Sequence, residues 1–271
     1  MPTYSLHGVT IPLLFAALCS TELKAQEPVL AIATYRFSQL EDTANPSSVH
    51  SENDVLLIGR GESLYQRAAA GGQATVSSSP GMGQGHAVEV DNAENFMRYY
   101  VRPGEHQLVT SRKMFLFNYI YALPYPAIEW EISADTVNIG GFRCQQAMGR
   151  WKGRCWTVCF CPELPFRYGP WKLNGLPGLI LQAADSTGQV SFRFEGFRRN
   201  ADPGLTIGYP TDHPVRLTEK EFNRLHQLFS ENPRAYLETY FGPQGMGSVS
   251  IDPSFHGDKK ISNPIEVGGD N

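Results

Sequence analysis

Gly169 to Gln182 reads GPWKLNGLPGLILQ, with two prolines, three glycines and a tryptophan set ahead of a run of pure hydrophobe. Proline fixes φ and glycine tolerates positive φ, so Leu176-Pro177-Gly178 predicts a type II turn with Gly178 at positive φ. Gly175, Pro177 and Gly178 are then the structural turn residues, and Leu179-Ile180-Leu181 is the buried strand they launch. Such a stretch specifies a fold rather than a reaction.

Working outward, Asp185-Ser186-Thr187-Gly188 is a turn signal, and Val190 to Phe194 alternates behind it, which makes a hairpin immediately after the turn. Upstream, Gly140 to Ala147 and Cys155 to Phe160 flank the turn Gly149 to Arg154 and make another. Further back, Ala31 to Phe37 and Asp54 to Gly59 read as strands. Phe96 to Glu131 is aromatic and strand-like, divided by Pro124 and Pro126. Thr218-Glu219-Lys220-Glu221 is a capping box ahead of Phe222, Leu225 and Phe229 at helical spacing, and Asn232-Pro233 starts a further helical turn carrying Leu237 and Tyr240. The expected fold is mainly β: a single domain, a curved antiparallel sheet or partial barrel with a C-terminal amphipathic helix (α+β).

Composition bounds the rest. At 271 residues, 41% apolar and 18% charged, the chain can bury a sizeable core. A formal net charge of -4 carries no basic field for nucleic acid or an anionic membrane surface. The apolar run Val9 to Leu18, followed by Leu23-Lys24-Ala25-Gln26, predicts a signal peptide over 1–25, with Cys19 discarded inside it. The domain then covers 26–241 and a polar tail 242–271. No later stretch reaches the roughly 20 apolar residues of a membrane helix.

Several positions match a known pattern. GPWK with GLPGLIL (169–181), Leu56-x-Ile58-Gly59, Ser63-x-Tyr65, Gly141-Phe142-x-Cys144-Gln145-x-Ala147 and the terminal Asn263-Pro264-Ile265-Glu266-Val267 resemble the GLPGLI family. That family is known mainly from the envelopes of Bacteroidetes-type bacteria and has no established activity. The resemblance implies export to the periplasm or outer envelope of a Gram-negative bacterium. Cys159 departs from the family, which usually carries an aromatic there.

Chemical signatures are sparse. There is no G-x-S-x-G, Gly81-x-Gly83-x-Gly85 lacks the spacing of a dinucleotide fingerprint, and His50, His86, His106, His213, His226 and His256 show no metal-ligand spacing, which reads them as surface histidines. Glu129 and Glu131 flank Trp130 on one face of a strand. Cys144, Cys155, Cys159 and Cys161 remain after export. A turn centred on Lys152-Gly153 sets Cys144 opposite Cys161, and one centred on Trp151-Lys152 sets it opposite Cys159. A disulfide is the expected outcome in an oxidising envelope, with a four-thiolate metal site or a redox role as alternatives.

The function expected from these readings is a non-enzymatic binding or accessory protein. Its concavity, lined by Trp130, Trp156, Trp171, Leu176, Pro177 and Leu179, would take a small molecule, a lipid or a peptide, and an envelope protein is a further candidate partner. No catalytic residue, metal or cofactor is assigned. The alternatives are a metal- or redox-linked protein built on the four cysteines, or an enzyme of unnamed class.

Overall fold

A computed structural model describes residues 26–68, 97–114, 117–211, 214–232, 234–236, 238 and 262–267. The expected signal segment 1–25, the Gly81-x-Gly83-x-Gly85 stretch, His86, His213, His256, Leu237, Tyr240 and most of the tail lie outside the described residues.

A short strand β1 (Glu27–Pro28) precedes β2 (Ala31–Leu40), β3 (Val49–Ile58), β4 (Ser63–Arg67), β5 (Met97–Arg102), β6 (Gln107–Met114) and β7 (Phe117–Leu123). These last six pair antiparallel in sequence order. A second meander follows: β8 (Trp130–Ile139), β9 (Phe142–Trp151), β10 (Arg154–Cys161), β11 (Leu179–Asp185) and β12 (Val190–Arg199). The pairing of β12 with β2 fuses both meanders into one sheet of twelve strands, completed by β14 (Pro214–Arg216) parallel to β7. The ribbon of β1 with β13 (Thr206–Ile207) lies apart.

Chain geometry dictates the curvature. Leu123 and Trp130 are seven residues apart, a reach of about 25 Å at most. Yet β7 and β8 are ten strand positions apart in the sheet order, about 48 Å if it were flat at the usual strand spacing. The sheet must roll up, as the partial-barrel expectation required, and its inner face becomes the core.

One inner rung runs Ala33, Leu56, Tyr65, Tyr99, Thr110, Tyr121 across β2 to β7. The alternate residues Ile32, Val55, Leu57, Leu64, Tyr100, Val109 and Ile120 face outward and are covered by Val29, Leu205 and Ile207. Helix α1 (Glu219–Glu231) is capped by Thr218 and Glu221 in a reciprocal capping box. It seats Phe222 on Tyr121, stacked at 4.5 Å, so the helix closes the inner face at the β7 end.

The signature stretch fills this interior. Tyr168, Trp171, Leu173, Leu176 and Leu179 are all buried, and Tyr35 donates its hydroxyl to the Ile180 carbonyl at 2.8 Å. Trp171 sits at φ 57°, a strained setting for a non-glycine residue, and its ring stacks on Phe192. The expectation of positive φ at Gly178 is overturned: positive φ falls on Gly175 (97°) instead. Gly178 is glycine because a Cβ there would lie 2.2 Å from the Cys161 carbonyl oxygen.

Candidate functional site

The expected apolar hollow is not formed by the residues assigned to it. Trp171, Leu176 and Leu179 are locked in the packed core, and Pro177 is exposed. The correction has a physical cause, since Trp171 meets Trp151, Trp156 and Phe192 ring to ring, within 5.1 to 6.4 Å between centroids. Trp130 and Trp156 do border a hollow of about 730 Å³ at the β8 edge, together with Glu129, Glu131, Arg150 and Cys155. Trp156 is only 1% exposed, and Trp130 is pinned by its indole N–H to the Asn174 carbonyl at 2.8 Å. The hollow has a mixed rim, with Ala127 and the exposed Met148 beside the charged Glu129, Glu131 and Arg150.

Instead, polar groups converge where the last described segment, 262–267, crosses the mouth of the curled sheet. Arg154, 6% exposed at the start of β10, donates to four acceptors. Its Nη1 reaches Asp185 Oδ2 at 2.6 Å, Nη2 reaches Asn263 Oδ1 at 2.6 Å and the Pro264 carbonyl at 2.7 Å, and Nε reaches the Ile265 carbonyl at 2.9 Å. Gln39 Nε2 donates to the Asn263 carbonyl at 2.7 Å, and Asn263 Nδ2 donates to the Leu40 carbonyl at 2.7 Å. Backbone bonds from Asn263 N to Glu41 O and from Val267 N to Lys152 O, both 3.0 Å, complete the grip. Three consecutive carbonyls of the tail are thus held by side chains of the body.

Asp185 holds Arg154 in place. Burial pushes the Asp185 carboxyl up, but bonds from Thr187 Oγ1, the Val190 N–H and Arg154 outweigh it and hold it below its usual range. At the other end of the tail, Glu266 pairs with the Lys172 ammonium. Lys172 is 7% exposed and walled by the rings of Tyr99, Trp171 and Trp151 at 5.2, 5.4 and 6.0 Å. Burial pulls this ammonium below its usual value, with Glu266 opposing. The Lys172 of GPWK and the Glu266 of NPIEV, read as separate motifs in the sequence, are contact partners.

The cysteines are free thiols in the structure, so the expected disulfide is not formed there. The hairpin register is the one centred on Lys152-Gly153: Trp151 pairs with Arg154 and Gln145 with Phe160, and one more step sets Cys144 opposite Cys161. Burial pushes the Cys144 thiol up to about 12, with the Cys161 and Cys159 thiols adding to it. A protonated, buried thiol is a poor nucleophile. Among the described residues no group of three or more His, Cys, Asp or Glu side chains is arranged to hold a metal ion.

One titratable cluster escaped the sequence reading. His50 and Glu52 on β3 join Arg67 on β4 in a half-buried chain: His50 Nε2 lies 3.1 Å from Glu52 Oε2, which pairs with Arg67. Beneath it, Asp54 is 3% exposed and accepts a bond from Tyr65. Burial raises its carboxyl to about 7 against that bond. Sealed from solvent, Asp54 meets no substrate, but it makes stability pH-dependent. A carboxyl raised in the folded state stabilises fully below its unfolded value near 4, and that contribution is lost as pH rises through 7. Thermal melts of the wild type should therefore fall between pH 5 and pH 8, and Asp54→Asn should flatten that slope; parallel slopes would remove Asp54 as its source.

No protein-family model and no curated protein matches the chain. Among solved structures it is similar to PNGF-II in two crystal forms. The P21 form superposes with a TM-score of 0.52 at 9% identity over 73% of this chain and 33% of that one, and the C2 form with 0.51 at 10% identity over 72% and 32%. The chain spans about a third of the PNGF-II length, and the likeness at this identity is one of fold alone.

Proposed function

We propose that the chain is an exported, non-enzymatic binding or accessory protein of the Gram-negative envelope, a relative of the GLPGLI family, and that its binding site is the mouth of the curled sheet, which grips an extended peptide. The observation that carries this reading is Arg154, which spends three of its four bonds on the tail segment. Peptide is favoured over lipid or apolar small molecule because the interior is filled by aromatic side chains while the mouth presents donors to backbone carbonyls.

The test cuts the intact chain at a protease site inserted between Ser250 and Ile251. The released tail should wash off on dilution, and a synthetic 262–271 peptide should rebind saturably, raising the melting temperature with its concentration. A folded body that ignores the peptide would refute the reading. Export has its own measurement. Protein recovered from the envelope should begin at Gln26, and a Cys144–Cys161 bridge formed there would lighten it by two hydrogens; a chain retaining 1–25 would refute export.

A further inference from the structure

We infer that the mouth selects its peptide at two positions, an amide side chain and a carboxylate three residues further on, so that its ligands are extended segments of the Asn-Pro-x-Glu kind, with the chain's own tail as the resident example. The inference rests on the peptide-binding reading above and adds to it what the peptide must contain.

The first position is read on both sides of its amide. Asn263 accepts from Arg154 through Oδ1 and donates to the Leu40 carbonyl through Nδ2, and the residue is 7% exposed. An alanine there takes one acceptor from the Arg154 guanidinium and the side-chain donor from the Leu40 carbonyl, and an aspartate keeps the acceptor but loses the donor while adding a second carboxylate beside Asp185. The second position is read by charge. Lys172 is enclosed by three aromatic rings, and the carboxylate of Glu266 is the anion the structure places on it. Ring faces attract an ammonium but supply no full negative charge, so a neutral residue at that position leaves a desolvated cation poorly compensated.

Between and beyond these positions the demands are weaker. Pro264 and Val267 are exposed, and only their backbone groups are held, Pro264 by its carbonyl and Val267 by its N–H. Ile265 packs half-buried against the core, which asks for an apolar side chain of moderate size. The spacing follows from the distance between two fixed readers, Arg154 at the start of β10 and Lys172 in the signature stretch.

The experiment weakens the resident tail in the full-length chain with Asn263→Ala and Glu266→Gln, then adds capped synthetic hexapeptides of residues 262–267. The native peptide should bind, and peptides carrying Glu266→Gln or Asn263→Ala should each bind at least about tenfold more weakly, the scale expected for hydrogen bonds to charged groups. Equal binding of all three would overturn the two-position selection while leaving peptide capture intact. No binding of the native peptide to the folded double variant would overturn both. Should the double variant lose its fold, the same three peptides compete for the wild-type chain cut between Ser250 and Ile251, with displacement of the cut tail as the readout and the same outcomes deciding.

Discussion

Gly178→Val is expected to give no folded protein, and Gly178→Ala to lower the melting temperature by roughly 10 °C or more. The added Cβ would meet the Cys161 oxygen at 2.2 Å, its carbonyl carbon at 2.6 Å and Pro162 N at 2.9 Å. All three are backbone atoms and cannot rotate aside as the end of a side chain would. Relief requires moving the start of β11, where Leu179 pairs with Cys161, away from β10. Overpacking of this kind costs about 3 kcal/mol or more when the obstacle is rigid, and β-branching adds to it. Gly175→Ala is the informative contrast. It has the positive φ, but its nearest neighbours, Trp130 ring atoms, lie at 3.7 and 3.9 Å, so only the local conformational penalty of about 1 kcal/mol applies. Equal melting losses at 175 and 178 would show that backbone conformation, rather than crowding against Cys161, governs both positions.

Those two glycines show how far the sequence could be read. Pro-Gly beside a hydrophobic run marked the buried strand, but the chain only bends at 176–178 where a type II turn was expected, because which glycine carries positive φ depends on what lies across from it, and Cys161 is seventeen positions upstream. The hairpins were legible because alternation and turn residues are local, and the capping box of α1 likewise. The outer half of β3, from Val49 to Asn53, was not, because its inner-facing His50 and Glu52 are polar and pair with Arg67 instead of entering the apolar core. The roll of the sheet was expected in outline, yet its consequence was not: closure brings Gln39, Arg154, Asp185 and Asn263 together from positions spread over most of the chain. Asn263-Pro264-Ile265-Glu266-Val267 stood out as a motif, but no periodicity or spacing pointed from it to Lys172 or Arg154. The assignment of Trp171, Leu176 and Leu179 to a ligand hollow failed for a related reason, since an aromatic stripe looks the same in sequence whether it lines a cavity or fills one.

Arg154→Met should be the most damaging single change at the mouth. Methionine approximates the aliphatic stem but leaves the Asp185 carboxylate at 5% exposure without its cation, and it strips donors from the Asn263 side chain and the Pro264 and Ile265 carbonyls at once. Breaking a buried ion pair from one side costs about 3–5 kcal/mol, or roughly 6–20 °C of melting temperature in a chain of this size. The sign of its pH dependence separates this cause from simple loss of packing. In the wild type the Asp185 carboxyl lies below its unfolded value, so its contribution is present above that value and fades as pH falls through the folded one. In the variant the stranded carboxylate gains from protonation, so the gap between the two proteins should narrow on moving from pH 7 to pH 4. Asp185→Asn placed on top of Arg154→Met should recover part of the loss at pH 7 by removing the uncompensated charge, although the tail stays released. A gap independent of pH, with no recovery in the double variant, would mean that Arg154 acts through its stem and that Asp185 is held well enough by Thr187 and Val190 alone.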